Sequence, residues 1–257
     1  MEIKHLCWSK GTPNWGDDCN PFLFEMIAGY KPLHLNIGRN KGYPHYMMVG
    51  SILHYANELT YVWGTGLRFD LKLKSPAKVY AVRGPLTRDV LLKNNIDCPE
   101  VYGDPVLLLP RFYKPKIEKK YKLGIIPHYI DKHIVKVEDK NVKLIDVQSG
   151  FERVINDILE CENIVSSSLH GLILADAYEV PAMWLRVSDK VEGSELKFND
   201  YFLSVGRPTN VYINYWELKE TLDALKQFYR YKIDIDLDKL YETCPFRRKD
   251  DKTRSNV

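Results

Sequence analysis

Ile164-Val165-Ser166-Ser167-Ser168-Leu169-His170-Gly171-Leu172-Ile173-Leu174-Ala175-Asp176-Ala177-Tyr178 is the stretch on which the fold turns, and Val180-Pro181 closes it. The pattern predicts a short buried strand, a tight polar turn and an apolar helix. Three serines, a histidine and a glycine fall where strand gives way to helix. Backbone N–H groups are unpaired at a helix start and the helix dipole is positive there, so such a turn suits phosphate or carboxylate. His170 adds a group that moves protons near neutral pH. The plainer alternative is an N-cap beside a packed histidine.

Working outward, the same strand-turn-helix alternation recurs. Ile3 to Trp8 is a first strand, followed by the long polar turn Ser9 to Pro21. Asn20-Pro21 is expected to cap and start the next helix. Asp17 and Asp18 in that loop are candidates for acid/base work or for accepting sugar hydroxyls, the alternative being solvated turn residues. Strands are expected at Leu33 to Asn36, Tyr46 to Val49, Thr60 to Trp63 and Lys78 to Val82. Gly50-Ser51 and Gly64-Thr65-Gly66 permit close backbone approach to a ligand, or are tight turns. Arg83 precedes a helix starting at Pro85, where its forked donors suit an anion; a surface salt bridge is the plainer role. Asp104-Pro105 marks another capped helix start.

Lys114 to Lys120 is rich in Lys and lacks apolar periodicity, which marks a linker. The alternation then restarts: strands over Lys122 to Ile126, Asn141 to Val147, Glu162 to Ser166 and Ala182 to Leu185, with a helix through Phe151, Val154, Ile155 and Ile158. His128 lies at a strand's carboxyl end, the edge where open α/β sheets bind ligands. Helices are expected over Tyr215 to Tyr229 and Leu237 to Thr243, with a basic solvated tail from Phe246. The expected fold is α/β with two Rossmann-like, doubly wound domains and a C-terminal helical segment. The expected boundaries are 1–112, a linker at 113–122, 123–235, and 236–257 for the last helix and tail.

Composition narrows the function. In 257 residues, 45% are hydrophobic and 12% aromatic, enough for a packed core. The net charge of +3 gives no case for nucleic acid. Five widely spaced cysteines form no CxxC pair, so no zinc site or disulfide framework is expected, and no GxGxxG supports a dinucleotide. No apolar run reaches membrane-span length and no signal-peptide core opens the chain, so a cytoplasmic location is expected. Tyr229 to Lys232 and the basic tail suggest peripheral contact with an anionic inner membrane face.

Five pieces stand in one order: Asn14-Trp15-Gly16-Asp17-Asp18, Trp63-Gly64-Thr65-Gly66, Ala81-Val82-Arg83-Gly84-Pro85-Leu86-Thr87, Tyr102-Gly103-Asp104-Pro105 and Ser166-Ser167-Ser168-Leu169-His170-Gly171. In this the chain resembles the polysaccharide pyruvyl transferases over about residues 3 to 190, with the bacterial exopolysaccharide and capsule branch the nearest in form. The resemblance implies a two-domain architecture like the GT-B glycosyltransferases with the active site in the cleft. It implies transfer of pyruvyl from phosphoenolpyruvate to a sugar as a cyclic ketal, with release of phosphate; no cofactor beyond that co-substrate is expected, and with no clustered ligands no metal is expected either. The implied acceptor is a galactose-type residue on a polyprenyl-diphosphate-linked oligosaccharide. The donor-binding residues implied are Arg83 and His170. Many members carry arginine where Ser168 stands; Arg83, Arg88, Arg186 or a lysine would have to replace it.

The residues suggest the same chemistry. Phosphoenolpyruvate needs cationic forks and helix starts, and ketal formation needs proton transfers suited to a group of neutral pKa. The expected catalytic set is His170, Arg83 and Asp17. Asn14, Trp15, Gly16, Asp18, Gly64, Thr65, His128, Ser167, Ser168, Leu169 and Gly171 are expected to line the substrates. Trp15, Tyr43, Tyr46 and Trp63 are candidates for stacking on sugar. Two other functions fit the residues: a nucleotide-sugar glycosyltransferase, with Glu192 or Glu195 on the ribose, and a non-catalytic sugar-binding protein.

Overall fold

The computed structural model describes residues 3–218 and 232–248. Two five-stranded parallel sheets organise it. The first contains β1 (His5–Trp8), β2 (Leu33–Asn36), β3 (His45–Met47), β4 (Thr60–Trp63) and β5 (Lys78–Ala81) in the order β2-β1-β3-β4-β5. The second contains β6 (Tyr121–Ile126), β7 (Val142–Leu144), β8 (Cys161–Ser166), β9 (Ala182–Arg186) and β10 (Tyr212–Asn214) in the order β10-β9-β8-β6-β7. Counted from its own first strand, each sheet has the same doubly wound order. In each, the direction of winding reverses between the first and third strands. Loops leaving those two strands diverge to opposite faces and open a crevice at the carboxyl edge.

The described helices are α1 (Trp15–Ala28), α2 (Pro85–Lys93), α3 (Phe151–Leu159), α4 (Leu169–Ala177), α5 (Ser194–Ser204) and α6 (Leu237–Glu242), with a 3-10 turn at Pro105–Arg111. The α1 start differs from expectation. Asn14, not Asn20, is the cap: its side chain accepts from Asp17 N–H, and Pro21 lies inside the helix. An interior proline leaves the carbonyl four residues back without its donor. Asn20 Nδ2 replaces that donor at 3.1 Å from the Asp17 carbonyl, while Asn20 Oδ1 accepts from Val49 N–H. One buried amide thus repairs the helix and ties it to the loop after β3.

Two elements lacked a sequence signal, α5 and β10. Helix α5 follows Gly193, whose φ of +63° brings the backbone against that of Arg68. The expected helix from Tyr215 and the basic stretch at 229–232 fall largely outside the described residues, as do residues 249–257 of the tail. The tail's first residue is no solvated end: Phe246 is buried and stacks on Phe24. Trp63 Nε1 donates to the Leu240 carbonyl at 3.1 Å, so α6 packs back on the first sheet.

Packing joins the two halves. Trp15 Nε1 donates to the Phe151 carbonyl at 3.0 Å, its ring stacks on Phe151, and its N–H donates to the Val147 carbonyl. Each large apolar side chain buried in this way stabilises the fold by roughly 1.5–3 kcal/mol. The aromatics expected to meet sugar are therefore largely core. Trp15, Tyr46 and Trp63 are buried, and Tyr43 stacks on His5 at the strand edge.

Candidate active site

The crevices of the two sheets face one another and form one cleft of about 190 Å³. Asn14, the cap of α1, and Asp17, in its first turn, follow β1, and Gly50 and Ser51 come from the loop after β3. His128 follows β6, and Ser168, Leu169 and His170 follow β8. Arg68, Lys190, Glu192 and Lys197 add charged groups to the wall.

Hydrogen bonds within the turns fix these side chains. Ser166 Oγ accepts from Ser168 N–H at 3.1 Å and donates to the Ser168 carbonyl at 2.8 Å, which shapes the turn before α4. Ser167 Oγ accepts from His128 N–H at 2.7 Å. Ser168 is the N-cap of α4 and makes no side-chain cap bond. Gly171 lies behind the turn, where a Cβ would meet Ser166 Oγ at 2.4 Å. Gly16 has a similar constraint: a Cβ there would meet His170 Nδ1 at 2.0 Å. The glycine of the first motif thus makes room for the histidine of the last.

Several titratable groups are displaced toward neutrality. Burial raises the Asp17 carboxyl to about 6, opposed by the hydrogen bond from Asn14. Burial lowers His128 to about 4, with Lys197 and Arg68 adding to the effect. Lys197 is brought down to about 7 by burial and by the charges of Arg83 and Arg68. His170 falls to about 3 through burial, then Arg83, Lys197 and His128. Cations that depress one another mark a field seeking an anion. Asp18, half-buried beside this wall, is raised by burial but does not line the cleft.

Arg83 sits elsewhere than expected. It is fully buried behind the cleft. Its Nε donates to Asp200 Oδ2 at 3.1 Å, its Nη1 to Ser51 Oγ at 2.7 Å and its Nη2 to the Leu67 carbonyl at 3.0 Å. Thr87 N–H and Oγ1 also donate to Asp200. A Cβ on Gly84 would meet the Asp200 carbonyl oxygen at 1.9 Å. The Arg83-Gly84-Pro85-Leu86-Thr87 stretch is thus the seat for Asp200 of α5, and it reaches the cleft only through Ser51. Gly64 and Thr65 are also behind the wall: Thr65 Oγ1 donates to the Gly50 carbonyl at 2.7 Å and supports that loop. Of the other expected cations, Arg88 donates to the Cys98 carbonyl, and Arg186 pairs with Asp189 beside a neighbouring cavity.

That cavity, about 560 Å³, adjoins the cleft across Arg68. Phe69, 42% exposed, lies on its wall with Asp70, Ser188, Asp189 and Glu195. Sequence reasoning missed Arg68, Lys197 and Asp200, which belong to no short motif, and gave Asp104 only its capping role. Asp104 is fully buried, and burial raises its carboxyl to about 7. Among the described residues no cluster of His, Cys, Asp and Glu is arranged to hold a metal ion. No described helix is long and apolar enough to cross a membrane.

The chain is similar to known proteins. Protein L143 of Acanthamoeba polyphaga mimivirus, uncharacterised, is 33% identical over 235 residues, covering 87% of this chain and 82% of that protein. The succinoglycan biosynthesis protein ExoV of Rhizobium meliloti (strain 1021) is 28% identical over 232 residues, covering 81% and 68%. A solved structure of a functionally uncharacterised Klebsiella pneumoniae protein overlaps 77% of this chain and 87% of its own, with a TM-score of 0.41 and 13% identity. The family model for polysaccharide pyruvyl transferase matches residues 27–189, a span that holds four of the five ordered motifs, the His170 turn among them, and the chain belongs to that family.

Proposed function

We propose that the cleft binds phosphoenolpyruvate and transfers its pyruvyl group to two hydroxyls of a sugar as a cyclic ketal. The observation that carries this reading is the convergence of four sheet-edge loops on one cationic cleft containing displaced proton-transfer groups. Arg68, Lys190, Lys197 and the N-terminus of α4 supply positive potential for the phosphate and carboxylate. Asp17, His128 and His170 supply proton acceptors and donors on the same walls.

The chemistry balances as follows. A proton adds to the methylene carbon of the enol phosphate, leaving an oxocarbenium-like centre at the adjacent carbon. One sugar hydroxyl adds there and gives up its proton. The C–O bond to phosphate breaks, and the second hydroxyl adds and loses its proton. Two hydroxyl protons thus end on the new methyl group and on phosphate. The cleft's anion-seeking field holds the donor, and the adjoining cavity, with Phe69 and its carboxylates, offers a neutral sugar a stacking face and hydroxyl acceptors. A lipid-linked, galactose-containing oligosaccharide is the acceptor class we favour, in exopolysaccharide or capsule assembly at the cytoplasmic membrane face. The division into domains at 1–112 and 123–235 is part of the same proposal.

The test is incubation with carbon-labelled phosphoenolpyruvate and such an acceptor. Phosphate release with label retained on the sugar is expected. Transfer of a sugar from a nucleotide-sugar donor instead would overturn the reading.

A further inference from the structure

Asp104 and His170 come from opposite halves of the molecule, and each ends in an atom with no hydrogen-bond partner. His170 Nε2 lies 3.8 Å from Asp104 Oδ2, and both atoms are buried. The carboxylate is aimed by its other oxygen: Oδ1 accepts from Val106 N–H at 3.0 Å and caps the 3-10 turn. That turn packs directly on α4, which carries His170. On the ring's other side Nδ1 lies over Gly16, at the cleft wall shared with Asn14 and Asp17.

We propose that Asp104 is the positioning residue for His170: its Oδ2 takes the Nε2–H of the imidazole, which leaves Nδ1 as the nitrogen presented to substrate. A separation of 3.8 Å is too long for a hydrogen bond, and closing by about 1 Å brings the pair into range. Neither atom has another partner to give up, so closure costs no existing bond. A buried acid that bonds one ring nitrogen sets the tautomer and the orientation of the ring. In the transfer step, the O–H bond of an acceptor hydroxyl breaks as its oxygen joins the donor carbon. The proton passes to Nδ1 and from there to the departing phosphate. The imidazolium formed in between keeps its Nε2–H on Asp104, whose carboxylate gains no proton.

Other groups bear on the pair from every packed element. Arg83 and Asp200 act on Asp104, and Arg83, Lys197 and His128 act on His170. Cys19 of α1 and Tyr201 of α5 lie in the same field. Arg83 favours an ionised Asp104 against the burial that raises its carboxyl, and an arriving anionic donor offsets the pressure of Arg83, Lys197 and His128 on His170.

The test uses 15N-labelled full-length protein, with the His170 signals assigned by their loss in His170→Gln. Above the imidazole titration, wild type is expected to show the Nε2–H tautomer. In Asp104→Asn, which keeps a cap for Val106, an amide N–H faces Nε2 and the Nδ1–H tautomer is expected. The same variant is expected to lose roughly 10²-fold or more in kcat, with the KM for phosphoenolpyruvate little changed and the acidic limb of the pH profile moved. An Nδ1–H tautomer in wild type, or an unchanged tautomer and kcat in Asp104→Asn, would overturn the pairing. The wild-type spectrum decides the point even if the variant does not fold. The kinetic arm rests on the pyruvyl-transfer reading; the tautomer does not, so the two can fail separately.

Discussion

Arg83 and Asp200 form a fully buried ion pair between the start of α2 in the first half and α5 in the second, with Arg83 Nη2 3.1 Å from Asp200 Oδ2. The pair is complete: Ser51 and Leu67 take the remaining arginine donors named above, and Thr87 fills Asp200. Removing one partner of such a pair leaves the other charged in a medium of low dielectric, at a cost of about 3–5 kcal/mol. Asp200→Ala is therefore expected to lose about that much stability in denaturant unfolding. Arg83→Lys should rescue little, since a point charge cannot reach Asp200, Ser51 and Leu67 together. A loss below about 1 kcal/mol in Asp200→Ala would show that the pair contributes no more than a surface bridge.

Gly16 carries the closest constraint on His170. A methyl group there would lie 2.0 Å from Nδ1, so the ring must shift. Gly16→Ala is expected to fold with unchanged circular dichroism and to lose roughly 10²-fold in kcat, the scale of a misplacement of about 1 Å. Wild-type turnover in that variant would mean that the ring position tolerates displacement.

Lys197 is expected to set the pH dependence of donor binding under the proposed reading. Its folded value of about 7 lies below the ordinary lysine range, so it is charged below that pH and neutral above it. Affinity for phosphoenolpyruvate is expected to weaken as pH rises through about 7. Lys197→Arg, which keeps its charge, should flatten the curve. Stability runs the other way: between 7 and 10.5 the unfolded chain holds the proton that the folded one lacks, so folding gains as pH rises across that window. Calorimetric titration of the donor at several pH values checks the first part, and a pH-independent affinity in wild type would refute it.

Phe69 tests the acceptor side. Stacking on an exposed ring contributes about 1–1.5 kcal/mol, or about tenfold in affinity. Phe69→Ala is expected to raise the acceptor KM by about that factor and leave the donor KM alone. A change confined to the donor would place the sugar elsewhere.

The sequence by itself determined the strand-helix alternation, since parallel strands buried on both faces show as short apolar runs, and Gly, Pro and Asn mark the turns between them. It therefore placed the turn at Ser166 to His170 and His128 at strand ends, and it singled out Asp17, which the structure puts in the first turn of α1; residues of all three line the cleft. It misplaced the start of α1, because Asn20-Pro21 looks like a cap and only the Val49 loop reveals Asn20 as the repair of an interior proline. Tertiary structure alone decided which polar residues face a ligand and which face each other. Arg83 and Asp200 are separated by 117 positions, and nothing local to either records the partner. Trp15 and Trp63 are equally fit for a sugar or a core, and it was Phe151 and Phe246 that claimed them. Desolvation, the force that moved Asp17, Lys197 and Asp104 toward neutrality, depends on what surrounds a group in space, and the chain order does not carry it.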